Sequence, residues 1–207
     1  KIYLTMNTLL TNNELNEALD FAYDLYNMGI DAVIVQDLGL AKVLHERIPL
    51  LHLHASTQMT IYNLAGVKRL EALGFTRVVL ARELSLDEIK YICDNTNLEI
   101  EVFVHGALCI SYSGQCLMSS IIGDRSGNRG KCAQPCRLPY TLLKNGTPLK
   151  SGYLLSPKDL CTIDYFSKLP NITSLKIEGR MKSPEYVATV VSAYRKAIDG
   201  KTITRRR

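Results

Sequence analysis

A parallel (β/α) barrel of TIM type, present as about six of its eight strand–helix units, is the α/β fold that this sequence predicts. Three observations predict it. Strand-length apolar runs alternate with helix-periodic stretches over most of the 207 residues, an order that requires right-handed crossovers into a parallel sheet. Several of those runs keep one face apolar while the other turns polar toward the C-terminal end, as a barrel mouth does and a sheet covered on both faces does not. The pattern opens on a strand directly after Lys1, so two further units are expected to precede it. The expected organisation is one barrel-like domain over residues 1–207, lacking its N-terminal units, with a Cys-rich insertion at residues 105–154 after the fifth visible strand.

Each element has its own local signal. The first strand is read at Ile2 to Asn7. A helix follows over Asn12 to Met28, with Leu15, Ala18, Leu19, Ala22 and Leu25 on one face and Gly29 as its stop. Ala32 to Gln36 is the next strand, and Leu40 to Glu46 a short helix. The third strand, Leu50 to His54, sets Leu51 and Leu53 against His52 and His54, and its helix runs from Leu64 to Leu73 before Gly74. Strand four is Arg77 to Ala81; the helix after it starts at Ser85, with Glu88 completing a capping box. Strand five, Leu98 to Val104, sets Ile100, Val102 and Val104 against Glu101 and Phe103, with His105 continuing that polar face. The rhythm then breaks through the cysteines and a hairpin turning at Lys144-Asn145-Gly146. It resumes with a helix over Pro157 to Leu169, a strand from Ser174 to Ile177, in which Lys176 and the following Glu178 share a face, and a last helix from Ser183 to Ile198.

The composition, 46% hydrophobic and 22% charged, is that of a globular chain. No apolar run nears the roughly 20 residues that span a bilayer, and no signal-peptide pattern is present; a cytoplasmic protein without a membrane partner is the expectation. The net charge of +5 owes much to Arg205, Arg206 and Arg207. Such a balance permits a nucleic-acid partner without implying one, and equally suits a solvated basic surface. No Gly-x-Gly-x-x-Gly, Walker loop or His-Glu-x-x-His occurs, which removes support for dinucleotide, nucleotide and zincin chemistry. Ser111 and Ser113 lack the strand-turn-helix setting of a serine nucleophile.

Four of the six cysteines, Cys109, Cys116, Cys132 and Cys136, are spaced C-x6-C-x15-C-x3-C. With no secretory signal, a metal or cluster site is favoured over a disulfide framework. The spacing is neither a zinc ribbon nor a ferredoxin run, and it leaves an iron-sulfur cluster, a structural zinc and reduced thiols all open. Cys93, on a helix, reads as a buried structural residue. The strand-end residues Gln58, Arg82, Glu101, His105, Lys176, Glu178, Arg180 and Lys182 suit a mouth with acid–base groups and anion holders. They suit a satisfied ion-pair network equally well. His52 reads as structural, and His45 as solvent-facing.

The run from Glu101 to Cys116, with Asn128 to Arg137 behind it, resembles the signature of the collagenase-like peptidases, peptidase family U32. That resemblance implies a (β/α) barrel holding a 4Fe-4S cluster on Cys109, Cys116, Cys132 and Cys136, with Cys161 a substitute ligand and zinc the alternative. A crystal grown in air is expected to lack the cluster. It further implies an enzyme that supports hydroxylation of a tRNA or rRNA base, linked to an anionic small molecule such as prephenate. Glu101, His105 and Glu178 are then the acid–base candidates, and Gln58, Arg82, Lys176, Arg180 and Lys182 the substrate-binding ones. Two alternatives travel with the resemblance: a collagenase-like peptidase acting on peptides, and a non-catalytic cluster-bearing member of a hetero-complex such as the quinone-hydroxylation relatives form.

Overall fold

A computed structural model describes residues 1–201; the Arg205–Arg207 tail lies outside the described residues. The chain runs β1 (Tyr3–Met6), α1 (Asn12–Asn27), β2 (Ala32–Val35), α2 (Leu38–Arg47), β3 (His52–Ala55), α3 (Leu64–Ala72), β4 (Arg77–Val79), α4 (Leu86–Asp94) and β5 (Glu99–Gly106). After β5 come α5 (Met118–Gly123), the hairpin β6 (Tyr140–Lys144) and β7 (Thr147–Gly152), then β8 (Leu160–Cys161), β9 (Ser174–Ile177) and α6 (Pro184–Ile198).

The helix starts follow their sequence signals. Ser85 accepts the Glu88 backbone N–H while the Glu88 carboxylate accepts from the Ser85 backbone. Asp37, Asn63 and Ser183 cap α2, α3 and α6 from one side only, each side chain accepting a backbone N–H of its own first turn. At the hairpin, Asn145 and Gly146 both take positive φ, 51° and 80°, the requirement of a tight turn whose twist matches its strands.

Five parallel ladders join six strands in the order β1-β2-β3-β4-β5-β9. One face of the sheet supplies Val33, Val35, Leu53, Ala55, Val78, Leu80, Ile100, Val102 and Val104 to a core with Ala22, Leu40, Leu44, Val67, Leu70, Ile89 and Ile92 of the helices. The other face is concave. The Arg77 guanidinium of β4 lies 5.2 Å from the Tyr3 ring centroid of β1, although three strand spacings, about 14 Å in a flat sheet, separate their strands. The sheet is therefore a curled, parallel half-barrel. None of the described helices is long and apolar enough to cross a membrane.

Two expectations fail. The helix expected over Pro157 to Leu169 is absent: β8 pairs antiparallel with His105 and Gly106 of β5, and a 3₁₀ turn covers Ile163–Lys168. Thr162 decides this, because its backbone N–H (3.0 Å) and its hydroxyl (3.1 Å) both donate to Val104 O, and a hydroxyl that bonds the neighbouring strand competes with helix formation. Strand four stops at Val79 rather than Ala81, where the Ala81 N–H turns away to Ile61 O.

Candidate functional site

The concave face is built from residues whose strand parity points them away from the helices. Arg77 opens β4 and is 7% exposed. It donates from Nε (2.8 Å) and Nη2 (2.5 Å) to Glu99 and from Nη1 (3.2 Å) to Glu101. Glu101, 5% exposed, takes Lys176 Nζ at 2.8 Å on its other oxygen. Burial pushes the Glu101 carboxyl up, but the Lys176 charge and hydrogen bond, with Ser174 and Arg77, hold it below the usual carboxylate range. Lys176 and Arg82 lie 5.7 and 5.0 Å from the centroid of the Phe103 ring. His54 packs edge-on to Tyr3 at 4.8 Å.

His54 is buried, and its Nδ1 has no hydrogen-bond partner. Burial, then the Arg77 charge, lowers its pKa from 6.5 to about 4, so the ring is neutral at neutral pH. Between these values the unfolded chain binds more protons than the folded one. Stability is thus fully present above about pH 6.5 and lost as pH falls toward about 4, by on the order of 3 kcal/mol at about 1.36 kcal/mol per unit. Urea unfolding at pH 7 and pH 5 should show that decline. His54→Phe, which keeps the ring contact, should flatten it; an unchanged slope in the variant would assign the acid sensitivity elsewhere.

Not every residue assigned to the mouth reaches it. Alternation places His105 with Glu101 and Phe103, yet the β5–β9 register shifts between Phe103 and His105. A bulge re-aims the side chain that follows it. The His105 ring packs under α6 instead, with Nε2 3.0 Å from the Tyr186 hydroxyl and the ring edge-on to Tyr194. Lys182 belongs to that cluster too, paired with Asp159 at 3.1 Å and 4.9 Å from the Tyr186 centroid. The Glu178 N–H donates to His105 O and its carboxylate accepts the Arg180 N–H at 3.0 Å, closing its own turn; the Arg180 side chain is exposed. Glu101 and Lys176 thus pair on the concave face, whereas His105 and Lys182 gather at Tyr186 of α6 and the Glu178 carboxylate closes its own turn.

Arg82 is not a free anion holder. Its Nε and Nη2 donate to Ser113 Oγ at 3.1 and 2.8 Å and its Nη1 to Ala107 O at 3.3 Å, so it fixes the loop after β5. Gln58 lies in the 3₁₀ turn after β3. Its backbone O receives Gln36 Nε2 at 3.4 Å, while the side-chain Oε1 atoms of both glutamines are buried without partners. These two carbonyls are thus buried acceptors left unpaired beside the turn that carries Gln58. Sequence reading missed Arg77, Glu99 and Gln36; the charges that open β4 and β5 ahead of apolar residues were the available signal.

Above this face lies the cysteine segment, gathered by specific bonds. Arg137, beside Cys136, donates to Leu108 O (2.7 Å), beside Cys109, and to Ser156 Oγ and Pro157 O. The Ala133 N–H, beside Cys132, donates to Ser119 Oγ at 2.9 Å, on the helix that follows Cys116. A Cβ on Gly127 would lie 3.5 Å from both Cys116 O and Cys132 Cβ. Two thiols already accept backbone N–H groups, Cys116 Sγ from Met118 at 3.4 Å and Cys132 Sγ from Gln134 at 3.3 Å. Burial, with the nearby Cys109 and Cys132, outweighs Arg137 and raises the Cys136 thiol. Among the described residues no three His, Cys, Asp or Glu side chains are drawn together at ligating distance. The donor set, four soft sulfurs of which two accept N–H···S bonds, fits an iron-sulfur cluster better than a hard cation. Cys161 sits apart on β8, opposite His105. Cys93 packs against the core and is raised by burial, as expected of a structural thiol.

The sequence profile of Peptidase family U32 matches residues 1–206. Over 203 residues the chain is 46% identical to the 23S rRNA 5-hydroxycytidine C2501 synthase of Escherichia coli (strain K12), covering 96% of this chain and 31% of that protein. It is 41% identical to tRNA hydroxylation protein P1 of Bacillus subtilis (strain 168), covering 96% of this chain and 50% of that one. The chain thus spans half or less of the length of these relatives. A solved structure, that of the U32 peptidase Mk0906, superposes with a TM-score of 0.52 at 13% identity, over 89% of this chain and 71% of that one, a likeness of fold.

Proposed function

This chain belongs to peptidase family U32, and on that premise we propose that it is the barrel portion of an enzyme that supports hydroxylation of a tRNA or rRNA base. The single observation that carries the reading is the 46% identity, across 96% of this chain, to a protein named for rRNA cytidine hydroxylation. The site chemistry agrees with it. A peptidase needs an activated nucleophile, and the hydrogen bond that His105 makes goes to Tyr186 rather than to a serine or a thiol. Ser113 Oγ is occupied by Arg82. The collagenase-like reading therefore stays second, supported by the family's name, and a non-catalytic cluster-bearing partner third.

In this proposal the curled sheet is part of a TIM-type barrel, and the segment after β5 is the Cys-rich insertion that holds a 4Fe-4S cluster on Cys109, Cys116, Cys132 and Cys136. Such a cluster, when bound, supplies one-electron transfer. The chain's own residues do the rest. Arg82 and Arg137 fix the cysteine loops over the concave face, while Glu101, locked between Arg77 and Lys176, keeps that face rigid and anionic groups balanced. The carbonyls of Gln36 and Gln58, buried and unpaired within the chain, are acceptors that a substrate reaching this turn would satisfy. Prephenate, or a similar small dicarboxylate, is the proposed co-substrate. The test is nucleoside mass spectrometry of tRNA and rRNA from a strain deleted for the gene, alongside gelatin hydrolysis by the purified full-length protein. Loss of one hydroxylated nucleoside without gelatin cleavage is expected; intact nucleosides with robust cleavage would put the peptidase reading first.

A further inference from the structure

Two tyrosines on different loops above the concave face are placed face to face. Tyr62 follows β3 and Tyr112 follows β5; their ring centroids are 6.5 Å apart with planes inclined by 24°. Both stay about half exposed, at 50% and 56%, although each loop is held from below. Thr60 Oγ1 donates to Ser113 O at 3.0 Å, Gln115 Nε2 donates to Thr60 Oγ1 at 3.1 Å, and the Ser113 side chain, 1% exposed, carries the two Arg82 bonds. The pair is therefore preorganised, with both flat rings half exposed among the described residues. Preorganised aromatic rings bind at low entropic cost.

The surroundings say what would cover it. Asn128 Nδ2 donates to Gly114 O, which brings the segment carrying Arg125, Arg129 and Lys131, all exposed, against the loop of Tyr112. Arg129 is paired with Glu14; Arg125 bonds the Lys131 carbonyl through Nε. Tyr112 itself lies between Cys109 and Cys116. Flat π-faces next to cations match an unpaired nucleobase with its phosphates, the combination by which proteins hold single-stranded nucleic acid. A proline-rich peptide would also stack on tyrosine but would give the neighbouring cations nothing to bind.

The geometry points to the Tyr62–Tyr112 pair as the stacking platform for an unpaired base of the RNA substrate, holding the strand beside the cysteine segment. This inference rests on the RNA reading above. Because stacking is indifferent to base identity, the platform selects for unpaired over paired RNA and leaves the choice of base to other groups.

The experiment measures binding of a fluorescein-labelled single-stranded RNA by the full-length protein, with a duplex of equal length and a Gly-Pro-rich collagen-like peptide as comparators. Tyr62→Leu and Tyr112→Leu should each weaken single-strand binding about tenfold. The phenylalanine variants should bind as wild type does. The dependence of affinity on salt should keep its slope in the tyrosine variants, since no phosphate contact is removed, and should become shallower in Lys131→Gln. Both rings are half exposed, so circular dichroism should show the variants folded. Wild-type affinity in the double leucine variant would overturn the platform while leaving the RNA reading standing, as would phenylalanine variants as weak as the leucine ones. Wild-type protein that binds the peptide and neither RNA would overturn both.

Discussion

Glu101→Ala is expected to destabilise the protein by about 3–5 kcal/mol, the usual consequence of removing one partner from a buried ion network. Glu101 is 5% exposed and neutralises Arg77, itself 7% exposed, and Lys176 at 2.8 Å. Without it, Arg77 retains only Glu99, whose side chain is 47% exposed, and the Lys176 ammonium faces a buried guanidinium with no anion between them. The loss therefore comes from charge left unpaired in a poorly hydrated space, more than from the value of the bonds themselves. Replacing all three residues together, by Glu101→Leu, Arg77→Met and Lys176→Met, should recover most of the stability in urea unfolding, because apolar groups of similar volume require no partners. If the single variant costs less than about 1 kcal/mol, the range of an exposed pair, the concave face is wetter than its geometry indicates. If the triple variant regains stability but RNA modification stays lost, Glu101 or Lys176 acts on substrate as well as on structure.

The second large effect concerns the cysteines. Anaerobically reconstituted protein should carry iron and sulfide and absorb broadly in the visible, and serine at any one of Cys109, Cys116, Cys132 or Cys136 should remove most of that absorption. Cys93→Ser should leave the absorption unchanged, because that thiol packs against the core; Cys161→Ser should leave it unchanged because Cys161 is held on β8 beside His105. The same four substitutions should loosen the segment from Ala107 to Arg137. Its residues include the exposed Ile110, Tyr112, Leu117, Ile121 and Ile122, so little apolar burial offsets an ordering cost near 1 kcal/mol per residue. Protease sensitivity of this segment should rise when the metal is chelated. Protein that binds no iron, or a quadruple serine variant that binds as much as wild type, would return the four thiols to a structural role.

What the sequence disclosed divides along a physical line. Signals confined to a few neighbouring residues were legible: Ser85 with Glu88 and Asn145-Gly146 each produced the cap or turn expected of them. Strand alternation put Glu101 and Lys176 on one face correctly, because parity is conserved as long as pairing is regular. It failed for His105 once the register shifted after Phe103, and no local sequence mark announces a bulge. The 157–169 helix failed for a similar reason. Its apolar spacing is helical, but Thr162 is captured by Val104 O, far away in sequence. Arg77 went unnoticed as a hub because its significance lies in Glu99 and Glu101, which the β4–β5 register sets beside it, and in Tyr3, which the curl of the sheet brings to it. The four cysteines were conspicuous by spacing, whereas Arg137 and Asn128, which gather their loops, were not.

One comparison bears on the central claim most directly: nucleoside mass spectrometry of tRNA and rRNA from the deletion strain, complemented with the full-length wild-type gene or with the gene carrying serine at Cys109, Cys116, Cys132 and Cys136. The account predicts that one hydroxylated pyrimidine disappears on deletion, returns with the wild-type gene and does not return with the serine variant expressed at equal level. An unchanged nucleoside profile on deletion, or full restoration by the serine variant, would contradict it.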